Sequence, residues 1–196
     1  MEFRIEDFRH ARALLRDMPA WLDITTAIGA IDRDLVIDRQ ERLARDGRAP
    51  RGGQKAFNAL FEELLPRPRW VHQPRLFDDP ELRKWKMDFL RDRVGVEVSF
   101  NHAEAIPWQF TRLNIAGESE RVIDASRIDV GLVITADESL KSWSRMDSAV
   151  GTFDAFRAWL REMKPILPIP ILLVGLQTEG WPRTDRFGGT RAGTRA

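Results

Sequence analysis

The sequence predicts an α/β (α+β) protein of one domain, on three observations. Segments with helical apolar periodicity alternate with short β-branched runs, in the coarse order helices, three strands, helix, strand, helix, strand. The chain has 196 residues, enough for one sizeable core and too few for two comfortable ones. Its composition, 43% hydrophobic and 31% charged, is ordinary for a globular chain. The expected division is one domain over residues 1–180, with a helical part at 1–66 leading into an α/β core at 54–176, and a flexible basic tail at 181–196.

From the N-terminus, Ile5, Phe8, Ala11, Leu14 and Leu15 recur at helical spacing and predict a helix over residues 3–16 that Pro19 ends. Leu22, Ile24, Ile28, Ile31, Leu35, Ile37 and Leu43 continue as one or two helices with a break near Gly29. Arg39, Arg42 and Arg45 then share an outer face. Residues 47–53, GRAPRGG, hold one Pro and three Gly and form a loop. It carries Arg48 and Arg51 beside Gly52, Gly53 and Lys55, where open backbone amides and a helix N-terminus favour an anion. That loop is either a contact to DNA phosphate or a connector.

Residues 56–65 predict a helix with Phe57, Leu60, Phe61, Leu64 and Leu65 inward and Glu62 and Glu63 near its end, stopped by Pro66 and Pro68. Residues 70–77 read as a first strand before the Asp78-Asp79-Pro80 turn. After the central hairpin described below, residues 101–105 are polar, and Pro107 starts a helix to Ala116. Residues 117–127 are a loop and 128–135, IDVGLVIT, a strand, with a helix start at Asp137-Glu138-Ser139. Phe153, Phe156, Trp159, Leu160 and Met163 form a helical stripe, and 170–176, PILLVGL, a buried strand.

The chain is organised around residues 85–100, WKMDFLRDRVGVEVSF. Two apolar runs flank Asp92-Arg93 and read as two strands joined by a two-residue turn. Such a turn pairs Arg91 with Val94 and Phe89 with Val96. It sets Asp88 opposite Glu97 and Lys86 opposite Ser99. Directly opposed acids repel at a Cβ separation of roughly 5 Å. The repulsion calls for a shared proton, a neighbouring cation or a hard divalent metal. A surface hairpin that happens to carry acids on its polar face is the plain alternative. Gly95, within the second strand, marks a close approach.

Charge and composition narrow the chemistry. With no cysteine, disulfides, thiolate metal sites and cysteine nucleophiles are excluded, and three scattered histidines do not suggest zinc. The overall charge is +1, yet residues 39–75 carry +5 and residues 181–196 carry +3, which leaves −7 on the rest. An acidic body with two basic segments suits a protein that holds metal centrally and grips phosphates peripherally. No apolar run approaches the ~18 residues of a membrane span, and the start lacks a cleavage signal. A cytoplasmic location in a prokaryotic cell is expected.

An acid followed nine positions later by Glu-Val-x-Phe on a valine-rich strand resembles the metal site of the PD-(D/E)xK nucleases, and most of all the BglII and BstYI branch of restriction endonucleases. The Gly-Gly-x-Lys at residues 52–55 with Trp70 further on, and the IDVG at 128–131, are similar to segments of the same branch. The branch carries Gln where the superfamily has Lys two positions after the Glu; this chain has Ser99. The resemblance covers about residues 50–176. It implies a central mixed sheet flanked by helices and an Mg2+-dependent, sequence-specific endonuclease, with Mn2+ as a substitute ion. Such an enzyme cuts double-stranded DNA as a homodimer and leaves 5′-phosphate and 3′-hydroxyl ends.

On that reading Asp88, Glu97 and the Val98 carbonyl hold the metal. Ser99 orients the attacking water, and Lys86 reaches across to supply the missing ammonium. Arg48, Arg51, Lys55, Asn101 and His102 contact DNA. The rival reading is a catalytically weakened or inactive DNA-binding module of the same fold.

Overall fold

The computed structural model describes residues 1–47, 52–119 and 127–187. The chain opens with strand β1 (Glu2–Phe8) and helices α1 (Ala11–Leu15), α2 (Pro19–Ala30), α3 (Arg33–Arg45) and α4 (Gln54–Leu64). Strands β2 (Val71–His72), β3 (Phe89–Arg91) and β4 (Val94–Ser99) follow, then helix α5 (Ile106–Glu118). Strand β5 (Val130–Ala136), helices α6 (Glu138–Trp143) and α7 (Phe153–Glu162), and strand β6 (Ile171–Gln177) complete it. The six strands form one mixed sheet in the order β1-β6-β5-β4-β3-β2. The β4/β5 and β5/β6 pairs are parallel and the other three antiparallel.

Strand alternation sends side chains to two apolar layers. Val94, Val96, Val98 and Phe100 pack with Phe57, Leu60 and Phe61 of α4 and the N-terminal helices on one face. On the other, Val133, Ile171 and Leu173 pack with Phe110 and Leu113 of α5 and Phe156 and Leu160 of α7. Glu97 and Ser99 alternate with the valines of β4 and are 1% exposed, so two polar side chains are directed into the α5 side of the core. Gly95 shares that face. A Cβ there would lie 2.8 Å from Ile128 Cδ1 and 2.9 Å from Met87 Sδ, which is the close approach its place in the strand predicts.

The sheet and the flanking helices follow the sequence pattern, with local corrections. Residues 2–8 form an edge strand in register with β6, Phe3 opposite Leu176 and Ile5 opposite Val174, where a helix is expected. The alternation of Phe3 and Ile5 with Arg4 and Glu6 fits a strand, and the free edge of β6 decides the choice between two periods; only Ala11–Leu15 of the predicted helix remains. Pro19 begins α2 rather than ending a helix, as proline at a first helical position does. Arg39 is ion-paired with Glu63, and Arg42 with Asp38 at 2.8 Å, so that row of arginines is partly neutralised.

The first strand shrinks to Val71–His72 because Gln73 sits at φ +51, although an isolated antiparallel bridge joins Arg75 to Lys86. At the C-terminal end, residues 181–187 are not a loose tail. Trp181 and Phe187 both pack on Trp143, with ring centroids 4.9 and 5.0 Å away, and Phe187 is buried. Arg48, Arg51 and the last nine residues of the tail lie outside the described residues.

Candidate active site

The hairpin turn is formed by Asp92 at φ 49 and Arg93 at φ 65, both left-handed, the signature of a two-residue turn whose twist matches its strands. Register follows: Arg91 pairs with Val94, Leu90 with Gly95 and Phe89 with Val96. One step further, the Asp88 carboxylate accepts the Val98 N–H at 2.8 Å. Asp88, Glu97 and Val98 line one cavity of about 290 Å3, together with Asn58 and Glu62 of α4, His72 and Asn101.

Beyond Asp88 the ladder opens. The Met87 N–H donates to the Pro74 carbonyl at 3.2 Å, and the Asp88 carbonyl accepts from Gln73 N–H at 2.8 Å. Both bonds run toward the 73–76 segment and away from β4. The pairing that would carry Lys86 to Ser99 therefore does not form. Lys86 instead lines a second cavity of about 640 Å3 with Arg75, Arg83 and Lys84, next to Asp88.

Helix α5 supplies what the strands do not. Arg112 Nε donates to Glu97 Oε1 and Nη2 to Oε2, each at 2.7 Å, a bidentate fork of the kind guanidinium and carboxylate planes make together. One turn earlier, Gln109 Nε2 donates to Ser99 Oγ, and both residues are buried. The three-residue spacing of Gln109 and Arg112 reproduces the two-residue spacing of Ser99 and Glu97 across the interface. Gln109 Oε1 has no hydrogen-bond partner although it is buried.

The electrostatics follow from crowding acids into a dry place. Burial raises the Glu97 carboxyl to about 8, with the Arg112 hydrogen bonds opposing and the Asp88 charge adding to the rise. Burial also raises Asp88 above the usual carboxylate range, with the Val98 N–H opposing and Glu62 adding. On Arg112, burial works against the charged form, and the Glu97 hydrogen bonds and charge outweigh it, so its pKa rises. The cavity gathers Glu62, Asp88 and Glu97 against Arg112 and Arg67.

That donor set fits a hard divalent ion: two carboxylates share the cavity, Glu62 lines it, and a guanidinium already acts as counter-charge. Among the described residues no three His, Cys, Asp or Glu side chains come together as a metal cluster. An ion would therefore depend on the Asp88 and Glu97 pair.

Of the other sequence candidates, Asn101 lines the cavity and His102 is exposed at an isolated bridge to Val150. Lys55 is exposed on the first turn of α4. Sequence reasoning missed Gln109 and Arg112. Their spacing from Ser99 and Glu97 was available, but the facing of α5 onto β4 is a tertiary fact. Glu62 was singled out with Glu63, and the structure separates the two, Glu62 to the cavity and Glu63 to Arg39.

Comparisons with known proteins bear on the family and the fold. A family profile described as Restriction endonuclease BglII/BglIII matches residues 3–176. The crystal structure of restriction endonuclease BglII complexed with a DNA 16-mer superposes with a TM-score of 0.69 at 16% identity, covering 91% of this chain and 78% of that one. Free BglII gives a TM-score of 0.61 at 16% identity, covering 91% of this chain and 81% of that one. The comparison with curated proteins yields no match. The family match spans most of the chain and includes both acids of the hairpin, and the fold matches over nearly its whole length: this chain belongs to the BglII/BglIII restriction endonuclease family, type II site-specific deoxyribonucleases that hydrolyse DNA.

Proposed function

We propose that this chain is an Mg2+-dependent endonuclease that cuts double-stranded DNA at a specific sequence, leaving 5′-phosphate and 3′-hydroxyl ends. The observation that carries the reading is the convergence of Asp88 and Glu97 on one cavity, both held above the usual carboxylate range by burial and by neighbouring acids. One guanidinium on Glu97 leaves Asp88 beside it without an ion pair of its own, and a divalent cation between the two acids supplies that charge.

Asp88, Glu97 and the Val98 carbonyl would hold the ion. When bound, it supplies Lewis acidity at the phosphate and lowers the pKa of water, and Mn2+ can serve in place of Mg2+. Asp88 is oriented by the Val98 N–H and Glu97 by Arg112, so both carboxylates enter the reaction already aimed. Water attacks phosphorus in line, the bond to the 3′ oxygen breaks, and that oxygen takes a proton.

Ser99 is buried and engaged by Gln109, so it acts by fixing that amide against β4. Lys55 at the start of α4, Asn101 and His102 at the rim, and the cavity with Lys86, Arg83 and Lys84 provide contacts for DNA on both sides of the acids. Arg48 and Arg51, outside the described residues, belong to the same proposal. Residues 1–180 act as one nuclease domain, and a homodimer reads a site with two-fold symmetry. Among the described residues no helix is long and apolar enough to cross a membrane. The proposed location is the cytoplasm.

One observation favours the rival reading of an inactive DNA-binding module: the position two after Glu97 carries a serine tied to Gln109 and no cation. Plasmid DNA incubated with the protein and Mg2+ decides between them. Discrete fragments, lost on adding EDTA, are expected. Retained DNA binding without cutting would establish the inactive module instead.

A further inference from the structure

Among cavities, charged clusters and buried polar groups, the feature with the most unexplained chemistry is the α5 side chain that separates the two cavities. Arg112 lines the acidic cavity with Asp88 and Glu97, and it also lines the basic cavity with Lys86 and Arg83. Its side chain keeps 23% exposure while Glu97 keeps 2%, so the guanidinium has one edge on the buried acid and another open to whatever enters from solvent. A guanidinium has five donors, and two are used on Glu97. The remaining donors can serve a phosphate, whose oxygens suit the same planar fork.

The neighbouring position that carries a cation in most nucleases of this superfamily is Ser99, which is buried and bound to Gln109. Lys86 is diverted to Arg75 by the opening of the hairpin. Arg112 is ion-paired with an acid of the site, and among the described residues Arg67 is the other arginine lining that cavity.

We propose that Arg112 is a catalytic residue of this nuclease: from helix α5 it delivers to the scissile phosphate the positive charge that the strand position at Ser99 does not, and in the free protein it occupies the cation position on Glu97. The proposal depends on the endonuclease reading above. It assigns Arg112 two partners in sequence. In the free protein the fork lies on Glu97. With a divalent ion on the acids, the guanidinium stays beside Glu97 and turns its free donors to the phosphate, where charge accumulates as the 3′ oxygen departs.

This differs from a purely structural role, in which Arg112 only holds Glu97 in place. A structural arginine, once lost, weakens metal binding, and excess metal restores the rate. A catalytic arginine, once lost, leaves a rate deficit that metal does not repair.

The test is single-turnover cleavage across a Mg2+ titration, with Mg2+ binding to the DNA-free protein followed separately by calorimetry. Arg112→Met keeps the stem and deletes the charge. It is expected to lower the rate at saturating Mg2+ by about 100-fold, the usual effect of losing one donor to transition-state charge. Its Mg2+ affinity should be equal to or tighter than that of wild type, because a competing cation has gone. Guanidinium ion added to Arg112→Ala should restore part of the rate.

Arg112→Lys, which retains a charge but not the planar fork and serves should the other variants fold poorly, is expected to lose less rate than Arg112→Met. A wild-type rate for Arg112→Met at saturating Mg2+, or a deficit abolished by raising Mg2+, would overturn the proposal while leaving the endonuclease intact. A wild-type protein that neither cuts DNA nor binds Mg2+ would remove the endonuclease reading itself, and this proposal with it.

Discussion

The two ends of the central hairpin contrast. At the turn end, two left-handed residues fix the register, and Arg91 is ion-paired with Asp23 of α2, which also accepts the Trp70 Nε1–H at 3.1 Å. At the open end, Met87 and Asp88 turn their backbone bonds to Pro74 and Gln73, and the strands separate. The first end is decided by local backbone chemistry. The second is decided by competition between two neighbours for the same backbone groups, and the active-site candidates lie where that competition occurs. A hairpin rule extrapolated past its last paired residue thus fails at Lys86, which bridges to Arg75 instead of facing Ser99.

Perturbing the open end should give the larger effects. Ser99→Ala leaves the buried Gln109 amide with no partner for either polar atom, a loss of about 1–3 kcal/mol in stability measured by urea unfolding. Adding Gln109→Leu should recover part of it, so the double variant costs less than the sum of the two single changes. An additive double variant would mean that the two side chains do not depend on each other.

The raised carboxyls predict a pH dependence of the metal-free protein. Glu97 rises from an ordinary 4.5 to about 8 on folding, so the folded state binds the proton more tightly than the unfolded one. The stability this contributes is fully present below pH 4.5 and is lost as pH rises toward 8. Asp88, also raised, acts in the same direction. Melting temperature without metal should fall across that window, and Glu97→Gln should flatten the fall. A wild-type melting temperature that climbs over the same range would contradict the buried-acid account.

At the turn end, Arg93→Gly relieves a left-handed non-glycine residue and gives up the exposed ion pair with Asp129. A small upward shift of the urea midpoint is expected, with cleavage unchanged. The smallest effect on chemistry belongs to Lys86→Met. With Lys86 seated beside Arg75, single-turnover cleavage at saturating Mg2+ should stay within a few-fold of wild type, and DNA binding should lose part of its salt dependence. A rate loss comparable to that of Arg112→Met would return Lys86 to the chemistry.

Much of this arrangement was legible in the sequence because it is local. The β-branched runs, the turn register, proline at the start of α5 and the Asp137 cap, whose carboxylate accepts the Ser139 and Leu140 N–H groups, need only neighbouring residues. The edge strand β1 was not legible as such. Its partner lies near the other end of the chain, and Ile5, Phe8 and Ala11 satisfy a helical period as well as a strand. Arg112 and Gln109 were invisible for a related reason: nothing within α5 states which of its faces meets β4, and polar residues on a helix are by default expected to face water.

On the proposed function, Asp88 and Glu97 form one metal-dependent cleavage site. The most direct test of that reading is the single-turnover cleavage rate of Asp88→Asn and Glu97→Gln with Mg2+, alongside DNA binding and melting temperature. Each change removes a charge from the ion and also relieves repulsion in a buried cavity. Cleavage should therefore fall below detection while DNA binding is retained, and the metal-free melting temperature of Asp88→Asn should be equal or higher, whereas Glu97→Gln also gives up the Arg112 fork. Cutting by both variants at more than a small fraction of the wild-type rate would contradict the assignment.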